Sequence, residues 1–496
     1  MEIKKIFFFF FLLGIFSCSD EPKVEQEPIE NGTEVDGDSI ELPESGDLIV
    51  YDQSPKGRKY RPIETKYSDD RSPVLNWTPV YARILAYLDG YNQKLKKYED
   101  YKELTNIYGS DITKERYEAT GRFYVRKADN GRFWIIDPEG YPYYLRGISS
   151  LQSGDDKVIF DALFGNTEFF IKTAQNELRT TGIHSMGAFS DIYEDIDTHN
   201  KKYIDAPLPQ APSFGFLSAF RKRKGYTWPG DDHHNRIGIV FYPGWEDFCL
   251  SYLSGSAFEL YRGNKNVFGF FSDNELSFSA DILESFLNLD DNTCPAYTAA
   301  VEYMNKNNWD IDGEITDEMN LGFLGEIAEI YYGTIAKAVD KVDPELLYLG
   351  SRIHGNVKYR ESVIKAAGKY CDIISINYYG VWSPEIKENN WAKWAPDTPF
   401  LVSEFFTKSD DGNDCLNNDG AGFMVPTQKD RAFAYQHFTL GLLEATNCVG
   451  WIWFRYQDND CNRGLFNKKY ERYYYLSEFM KDINFNVYNI IDFFDK

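Results

Sequence analysis

The chain has 496 residues, 17% of them aromatic, and a formal net charge of -24. That length accommodates one large barrel domain or two to three average domains. The acidic balance argues against a nucleic-acid partner, because phosphate recognition needs Lys and Arg to displace counterions, and against a polyanionic ligand except at a local basic patch. Aromatic surface suits the C–H faces of sugar rings, a property that composition shares with any Tyr- and Phe-rich background.

The amino terminus reads as an address. Lys4 and Lys5 precede an apolar run over 6–16, followed by Ser17-Cys18. The run is too short for a comfortable membrane span and fits a signal peptide. Residues 15–18, Ile-Phe-Ser-Cys, resemble a bacterial lipobox, and Ser19-Asp20-Glu21 resembles the acidic export tag of surface lipoproteins. The resemblance implies that 1–18 is a lipoprotein signal and that Cys18 carries the lipid. Membrane contact is then through the anchor alone, at the outer membrane, facing the cell surface or the periplasm. Residues 19–50 are polar and acidic and predict a disordered tether.

Residues 51–120 predict a wrap over 51–76 without a core of its own, then a helix over 77–108 with Tyr81, Ile84, Leu85 and Leu88 on one side. Over 121–496 strand and helix patterns alternate. Asn130-Gly131 between two aromatic-rich runs is a hairpin signal, and 143–148 reads as the first of eight strands. The others are 183–189, 237–241, 267–273, 346–351, 372–377, 399–404 and 449–454. Helical patterns lie between them, at 168–181, 245–262, 276–342, 357–370 and 428–445, and 471–483 closes the chain. Strand-then-helix alternation implies parallel strands, and eight repeats predict an α/β fold, a (β/α)8 TIM barrel carrying a short amino-terminal helix and a β-hairpin. An open doubly wound sheet would place a Gly-rich nucleotide loop after its first strand. Gly147-Ile-Ser-Ser is no such loop, and no cofactor is expected.

Cys249, Cys371 and Cys448 fall in apolar patterns and read as buried small hydrophobes. Cys294, Cys415 and Cys461 fall in loop-like stretches, and a Cys415–Cys461 disulfide is left open. The spacings contain no CxxC pair. His233-His234, with Asp231 and Asp232, tempts as a metal cluster, but adjacent histidines point apart in extended chain, so no metal is expected there. Arg221-Lys-Arg-Lys224 stands in the long loop over 190–236. It reads either as a contact for sulfate or uronate groups or, the favoured reading, as a solvated charge run.

In a barrel the carboxyl ends of the strands meet in one mouth. Those ends carry Ser190 and Asp191, Asn274 and Glu275, Arg352 and His354, Asn377 and Tyr378, Glu404, then Trp453, Arg455 and Asp458. The two strands ending in Glu275 and Glu404 share one grammar, an apolar run that stops on a carboxylate. Two such carboxylates about 5 Å apart are the minimal equipment for cleaving a glycosidic bond with retention.

The segments Gly269-Phe-Phe-Ser-Asp-Asn-Glu-Leu276, Leu346-Leu-Tyr-Leu-Gly-Ser-Arg352, Ile373-Ile-Ser-Ile-Asn377, Pro399-Phe-Leu-Val-Ser-Glu-Phe405 and Gly450-Trp-Ile-Trp-Phe-Arg-Tyr456 resemble glycoside hydrolase family 50, the β-agarases, within the clan of retaining (β/α)8 glycosidases. The resemblance spans 121–480. It implies that Glu275 is the acid/base and Glu404 the nucleophile. Physical roles can be assigned beside it. Glu275 must hold a proton at neutral pH, so the charge of Glu404 and apolar walls are expected to raise its carboxyl. Tyr378 and Arg352 are candidate donors that keep Glu404 ionised. Asn274 is placed to bind the sugar 2-hydroxyl, and Trp453 to form the sugar platform. Asp191, Asn377 and Arg455 are further substrate contacts, and His354 a positioning or packing residue.

The expected protein is therefore a surface-anchored retaining glycoside hydrolase acting on β-galactosidic linkages of an algal galactan of agarose type, with a polysaccharide or oligosaccharide as its partner. Two alternatives stay open. One is a catalytically inactive glycan-binding lipoprotein, and the other an exo-β-glycosidase of β-galactosidase or β-mannosidase type.

Overall fold

The computed structural model describes residues 61–69, 72–73, 76–154, 156–190, 207–230, 232–412, 415, 417 and 422–496. The chain divides into two compact units, Met1–Pro43 and Glu44–Lys496, and every described residue belongs to the second. The expectations for 1–18, for 19–50, for Cys18 and for Asp191 lie outside the described residues.

Short, fully buried strands carry the architecture, an α/β arrangement of helices and several sheets. Leu145–Ile148 pairs in parallel with Cys448–Trp453 on one side and Ser185–Met186 on the other. Cys448–Trp453 pairs with Phe400–Phe405, which pairs with Ile374–Asn377. A second parallel set runs Ser213–Phe214, Gly269–Ser272, Leu347–Tyr348. Single parallel bridges tie the sets together, Gln210 to both Met186 and Val267, and Ile353 to Ile376. Strands buried on both faces read as continuous apolar runs, as Gly269-Phe-Phe-Ser does. Two of these strands approach closely at Gly450, where a Cβ would collide with the carbonyl of Leu145. One apolar cluster takes Leu145, Ala188, Ala211, Phe271, Leu349, Ile373, Leu401 and Ile452, a side chain from every parallel segment.

Helices pack outside these strands where their patterns predict them. Thr167–Arg179 buries Phe170, Ile171, Ala174 and Leu178, at helical spacing, and is capped by the Asn166 side chain. Gln428–Glu444 is almost wholly buried. Among the described residues no helix is long and apolar enough to cross a membrane. The chain ends in a further helix absent from the sequence reading, Val487–Phe494, which buries Val487, Ile490, Ile491 and Phe494.

Three expected elements are different in the fold. The stretch read as a third strand, 237–241, lies in a 3-10 helix, His233–Phe241, capped by the Asp232 side chain. A short apolar run is ambiguous between buried strand and buried helix. Its place between Met186 and Val267 is taken by Gln210, with Ser213–Phe214 following beside Gly269–Ser272. Pro209 and Pro212 hid this segment, since proline argues against an interior strand. Here both only accept, from the N–H groups of Met186 and Phe271 at 2.8 and 2.9 Å. Second, the helix over 77–108 breaks into a strand, Thr78–Ala82, a 3-10 turn, Leu85–Tyr87, and a six-residue helix, Tyr98–Glu103. Pro79 and Gly90, the latter at φ 80°, interrupt any long helix. Third, Arg61–Asp69 is a strand, not a coreless wrap. It pairs antiparallel with Thr78–Ala82 and Gly422–Val425, over a small core of Ile63, Val80, Ala82, Trp382 and Phe433.

The hairpin forms as read, Tyr124–Lys127 against Phe133–Ile136, turning at Asn130-Gly131 with Gly131 at φ 85°. Phe133 N–H donates to Thr446 O at 2.8 Å, which joins the hairpin to the loop entering Cys448–Trp453.

Candidate active site

The strand Gly269–Ser272 leaves the core through an irregular turn. Asp273 and Glu275 both adopt left-handed backbone, φ 58° and 53°, and Arg352 at a neighbouring strand end does the same at 54°. Non-glycine residues in this region are strained, and such strain gathers at functional sites.

Glu404 sits on Phe400–Phe405, 6% exposed. Its Oε1 accepts from the Arg352 Nη2 donor in a short, buried ion pair. Its Oε2 accepts from the Tyr379 hydroxyl at 2.9 Å. Arg352 Nε donates to Asn274 Oδ1 at 2.7 Å, so one guanidinium aligns Asn274 and Glu404. Glu275 is held from another side. Its Oε1 accepts from Asn377 Nδ2 at 2.7 Å, and Asn377 Oδ1 accepts from Ser403 Oγ at 2.8 Å. His354 Nδ1 lies 3.3 Å from Glu275 Oε1 without hydrogen-bond alignment. Two carboxylates from separate strand ends are thus each held by their own hydrogen bonds, and their charges interact.

Burial pushes the Glu404 carboxyl above the usual glutamate range. The Arg352 guanidinium opposes this most, the charge of Glu275 adds to it, and the Tyr379 hydrogen bond opposes it. Glu404 is the more deeply buried of the two carboxylates, and burial disfavours its charged form. Burial and the charge of Glu404 hold the Tyr379 phenol well above its ordinary range, so it stays a donor.

Two expected contacts are corrected. The Tyr378 backbone N–H donates to Glu404 O at 2.8 Å, but its side chain turns into the core and not to the Glu404 carboxylate. Its hydroxyl donates to Pro384 O at 2.9 Å, and its ring packs on Trp391 and Phe438 in the core. Side chains of extended chain alternate, so with Asn377 turned to the site, Tyr379 is the residue that follows it there. Trp453 is 1% exposed, packs against Phe405 and Tyr435, and donates Nε1–H to Arg463 O at 2.9 Å. It is a core residue and offers no platform. The half-exposed aromatic at that strand end is the next residue, Phe454, beside Phe406 at 6.3 Å and under the Arg463 guanidinium. Tyr379 and Phe454 were missed by the sequence reading, and the same alternation could have found both.

Arg455 is half-exposed next to Phe454, with its backbone N–H on Arg463 O at 3.1 Å. Asp458 is a turn residue, accepting from Gly464 N–H, Asn462 and Tyr473. Cys415 and Cys461 are not joined in a disulfide.

Arg221-Lys-Arg-Lys224 is the last turn of a helix, Phe216–Lys224, and not a loop. Cations there suit the helix dipole. Arg221 lies over Trp228 and Arg223 over Phe248. His233 and His234 do not point apart, because the chain is 3-10 and not extended. Their rings stand 3.9 Å apart, and their ligand atoms gather with that of Asp232 within 4.8 Å. Asp232 is also engaged as the helix cap, accepting from His234 N–H at 2.9 Å.

From Glu275 a cleft of about 660 Å³ runs outward, its walls including His233, His234, His354, Lys358 and Tyr379. Beneath the site, Asp273 accepts from the Tyr331 hydroxyl at 2.8 Å and Leu217 N–H at 3.1 Å. Burial nevertheless pushes its carboxyl up to about 7. A folded value above the unfolded one means that the folded state is favoured below the unfolded value and loses that advantage as pH climbs through about 7. The full loss is about 4 kcal/mol. Asp273→Asn removes the titration. Between pH 5 and 8 the wild-type melting temperature is expected to fall relative to that of the variant, and a difference independent of pH contradicts the assignment.

No protein-family model and no curated protein matches the chain. Solved structures do. That of BpGH50 is 45% identical, with the match covering 90% of this chain and 99% of that one at a TM-score of 0.84. PfGH50B is 19% identical over 78% of this chain and 69% of its own, TM-score 0.62. An agarase, AgWH50C, is 17% identical over 81% and 71%, TM-score 0.63. At these two lower identities the likeness is one of fold.

Proposed function

Since the chain belongs to glycoside hydrolase family 50, we propose that it hydrolyses β-galactosidic bonds of an agarose-type algal galactan with retention, using Glu275 as acid/base and Glu404 as nucleophile. That it is a glycoside hydrolase follows from the family. The observation that carries the finer reading is the pair of carboxylates whose charges interact, with Asn377 orienting Glu275 while Arg352 and Tyr379 hold both oxygens of Glu404. We read the parallel ladders, the bridges that join them and the common apolar cluster as a (β/α)8 barrel, with Glu275 and Glu404 at the carboxyl ends of its fourth and seventh strands. The agarose reading draws on relatives described as an agarase and an exo-β-agarase. With lipid at Cys18, the enzyme would work at the outer membrane.

In the first step Glu275 gives its proton to the glycosidic oxygen as the Glu404 carboxylate attacks the anomeric carbon. The leaving sugar departs as an alcohol, and a glycosyl ester remains on Glu404. In the second step Glu275, now a carboxylate, takes a proton from water, whose oxygen displaces Glu404. Asn274, held by Arg352, faces the 2-hydroxyl of the sugar, where hydrogen bonding strengthens as the oxocarbenium-like state forms. Phe454 replaces Trp453 as the aromatic surface for the ring.

The test is a product profile on a panel of marine polysaccharides and neoagaro-oligosaccharides, with proton NMR of the first-formed anomer and Glu404→Ala as control. Release of β-configured galactose reducing ends by the wild type alone is expected, and α-configured product would overturn retention. Within this mechanism Tyr379→Phe removes a donor that favours ionised Glu404. It is expected to lower kcat about ten-fold and to move the acidic limb of the kcat/KM profile to higher pH. An unmoved limb means that Tyr379 acts only by packing.

A further inference from the structure

The cleft beyond Glu275 is chemically unlike the rest of the chain. The sequence has 77 acidic residues against 53 Lys and Arg, yet Glu275 is the one carboxylate among the described cleft residues. The same walls carry His233, His234, His354, Lys358 and Arg360. Among the described residues Glu275 and Tyr379 line this cleft and Glu404 and Asn274 do not, so with Glu275 as the acid/base it is the side on which the leaving-group sugar would lie.

Lys358 is 4% exposed, which is rare for a lysine without a carboxylate on it. Its ammonium has three donors. One goes to Gly355 O at 2.8 Å, and the rings of Tyr359 and Tyr378 lie at 4.8 and 5.9 Å. Burial lowers its basicity to about 8, and the opposing charge that acts on it is Glu275. Arg360 Nε is likewise buried without a hydrogen-bond partner. Asp281 is the carboxylate that acts on Arg360, and it accepts from Ser279 Oγ. Asp232, outside the walls, is turned to the His234 N–H. Two cations in one cleft therefore keep donors to spare, and buried donors left unmade are costly.

We propose that this cleft receives an anionic substituent, a sulfate ester or a carboxylate, on the sugar at the leaving-group side, with Lys358 and Arg360 as its cationic contacts and the three histidines as N–H donors. The inference rests on the reading of Glu275 as the acid/base, which fixes this side as the leaving-group side. It makes the enzyme selective for charged stretches of a galactan, and it assigns anion recognition to the cleft and not to Arg221-Lys-Arg-Lys224.

The test compares galactan oligosaccharides of equal length, neutral, sulfated and carboxylated, in two readouts. One is kcat/KM for the wild type. The other is calorimetric binding to full-length Glu404→Gln protein. Wild type is expected to favour at least one anionic set, increasingly so at low salt. Arg360→Gln and Lys358→Met are each expected to reduce the anionic-to-neutral ratio about ten-fold. Arg360→Gln is the safer variant where the loss of buried Lys358 impairs folding, which thermal melts report. Preference for only one anionic set identifies the substituent. Equal binding and cleavage of neutral and anionic sugars overturns the proposal while leaving the hydrolase intact. Anion-selective binding without hydrolysis of any sugar supports the anion site and overturns the assignment of the two glutamates.

Discussion

Glu404→Gln is expected to lower kcat by about 10⁴-fold or more, with binding of the sugar largely retained. The magnitude follows from removing the atom that forms the covalent bond, since positioning and the remaining acid/base group are left. The glutamine keeps one acceptor, but its amide NH₂ then faces either Arg352 or the Tyr379 hydroxyl, both of which need an acceptor. A thermal melt must therefore accompany the kinetics. Glu404→Ala separates chemistry from packing, because it leaves room beside the anomeric carbon. Azide supplied to that variant is expected to restore turnover and to give an α-glycosyl azide, the inverted product of a single displacement, readable by NMR. Turnover of the glutamine variant within about ten-fold of wild type would remove Glu404 from the chemistry.

The outline of the site was legible in the sequence because it depends on strand ends. Apolar runs that stop abruptly on Asn-Glu and on Glu place those residues just outside a buried strand, and Asn274, Glu275, Arg352, Asn377 and Glu404 were found from strand ends, while their partners Ser403 and Tyr379 were not. Which side chains turn inward was harder to see. Tyr378 and Tyr379 differ by one position, and so do Trp453 and Phe454. A one-residue error moves a side chain to the other face. Lys358 and Arg360 carry no motif, and their place on the cleft that Glu275 also lines is something spacing does not express.

The misread elements share a different cause. Prolines at 209 and 212 argue against a strand by a rule about donors, yet Gln210 pairs because the neighbouring strands donate and these residues accept. The apolar 237–241 run satisfies burial equally well as a 3-10 helix. For 61–69 the local partner, Thr78–Ala82, was itself read as part of a helix, and the other, Gly422–Val425, lies more than 350 residues away.

Arg352→Met is expected to damage stability and activity together, and in a way that depends on pH. Arg352 is fully buried and is the strongest influence opposing the burial of Glu404. Breaking a buried pair by deleting one partner costs about 3–5 kcal/mol, because the other charge is left uncompensated. Glu404 can escape that cost by taking a proton. Its folded value, already above the unfolded one, then rises further. The penalty is therefore full at alkaline pH and fades as pH falls toward the unfolded value, so the melting-temperature gap between variant and wild type is expected to narrow from pH 8 to pH 5. Activity follows the opposite demand, since the nucleophile must be ionised. The acidic limb of kcat/KM is expected to move to higher pH, and the plateau to fall about 10²–10³-fold as Asn274 also loses its Nε–H donor. Arg352→Lys restores a charge but not the fork that serves Asn274 and Glu404 at once. It should recover most of the stability and little of the plateau. A stability gap that stays constant with pH, or an acidic limb that does not move, would show that Arg352 only fills space.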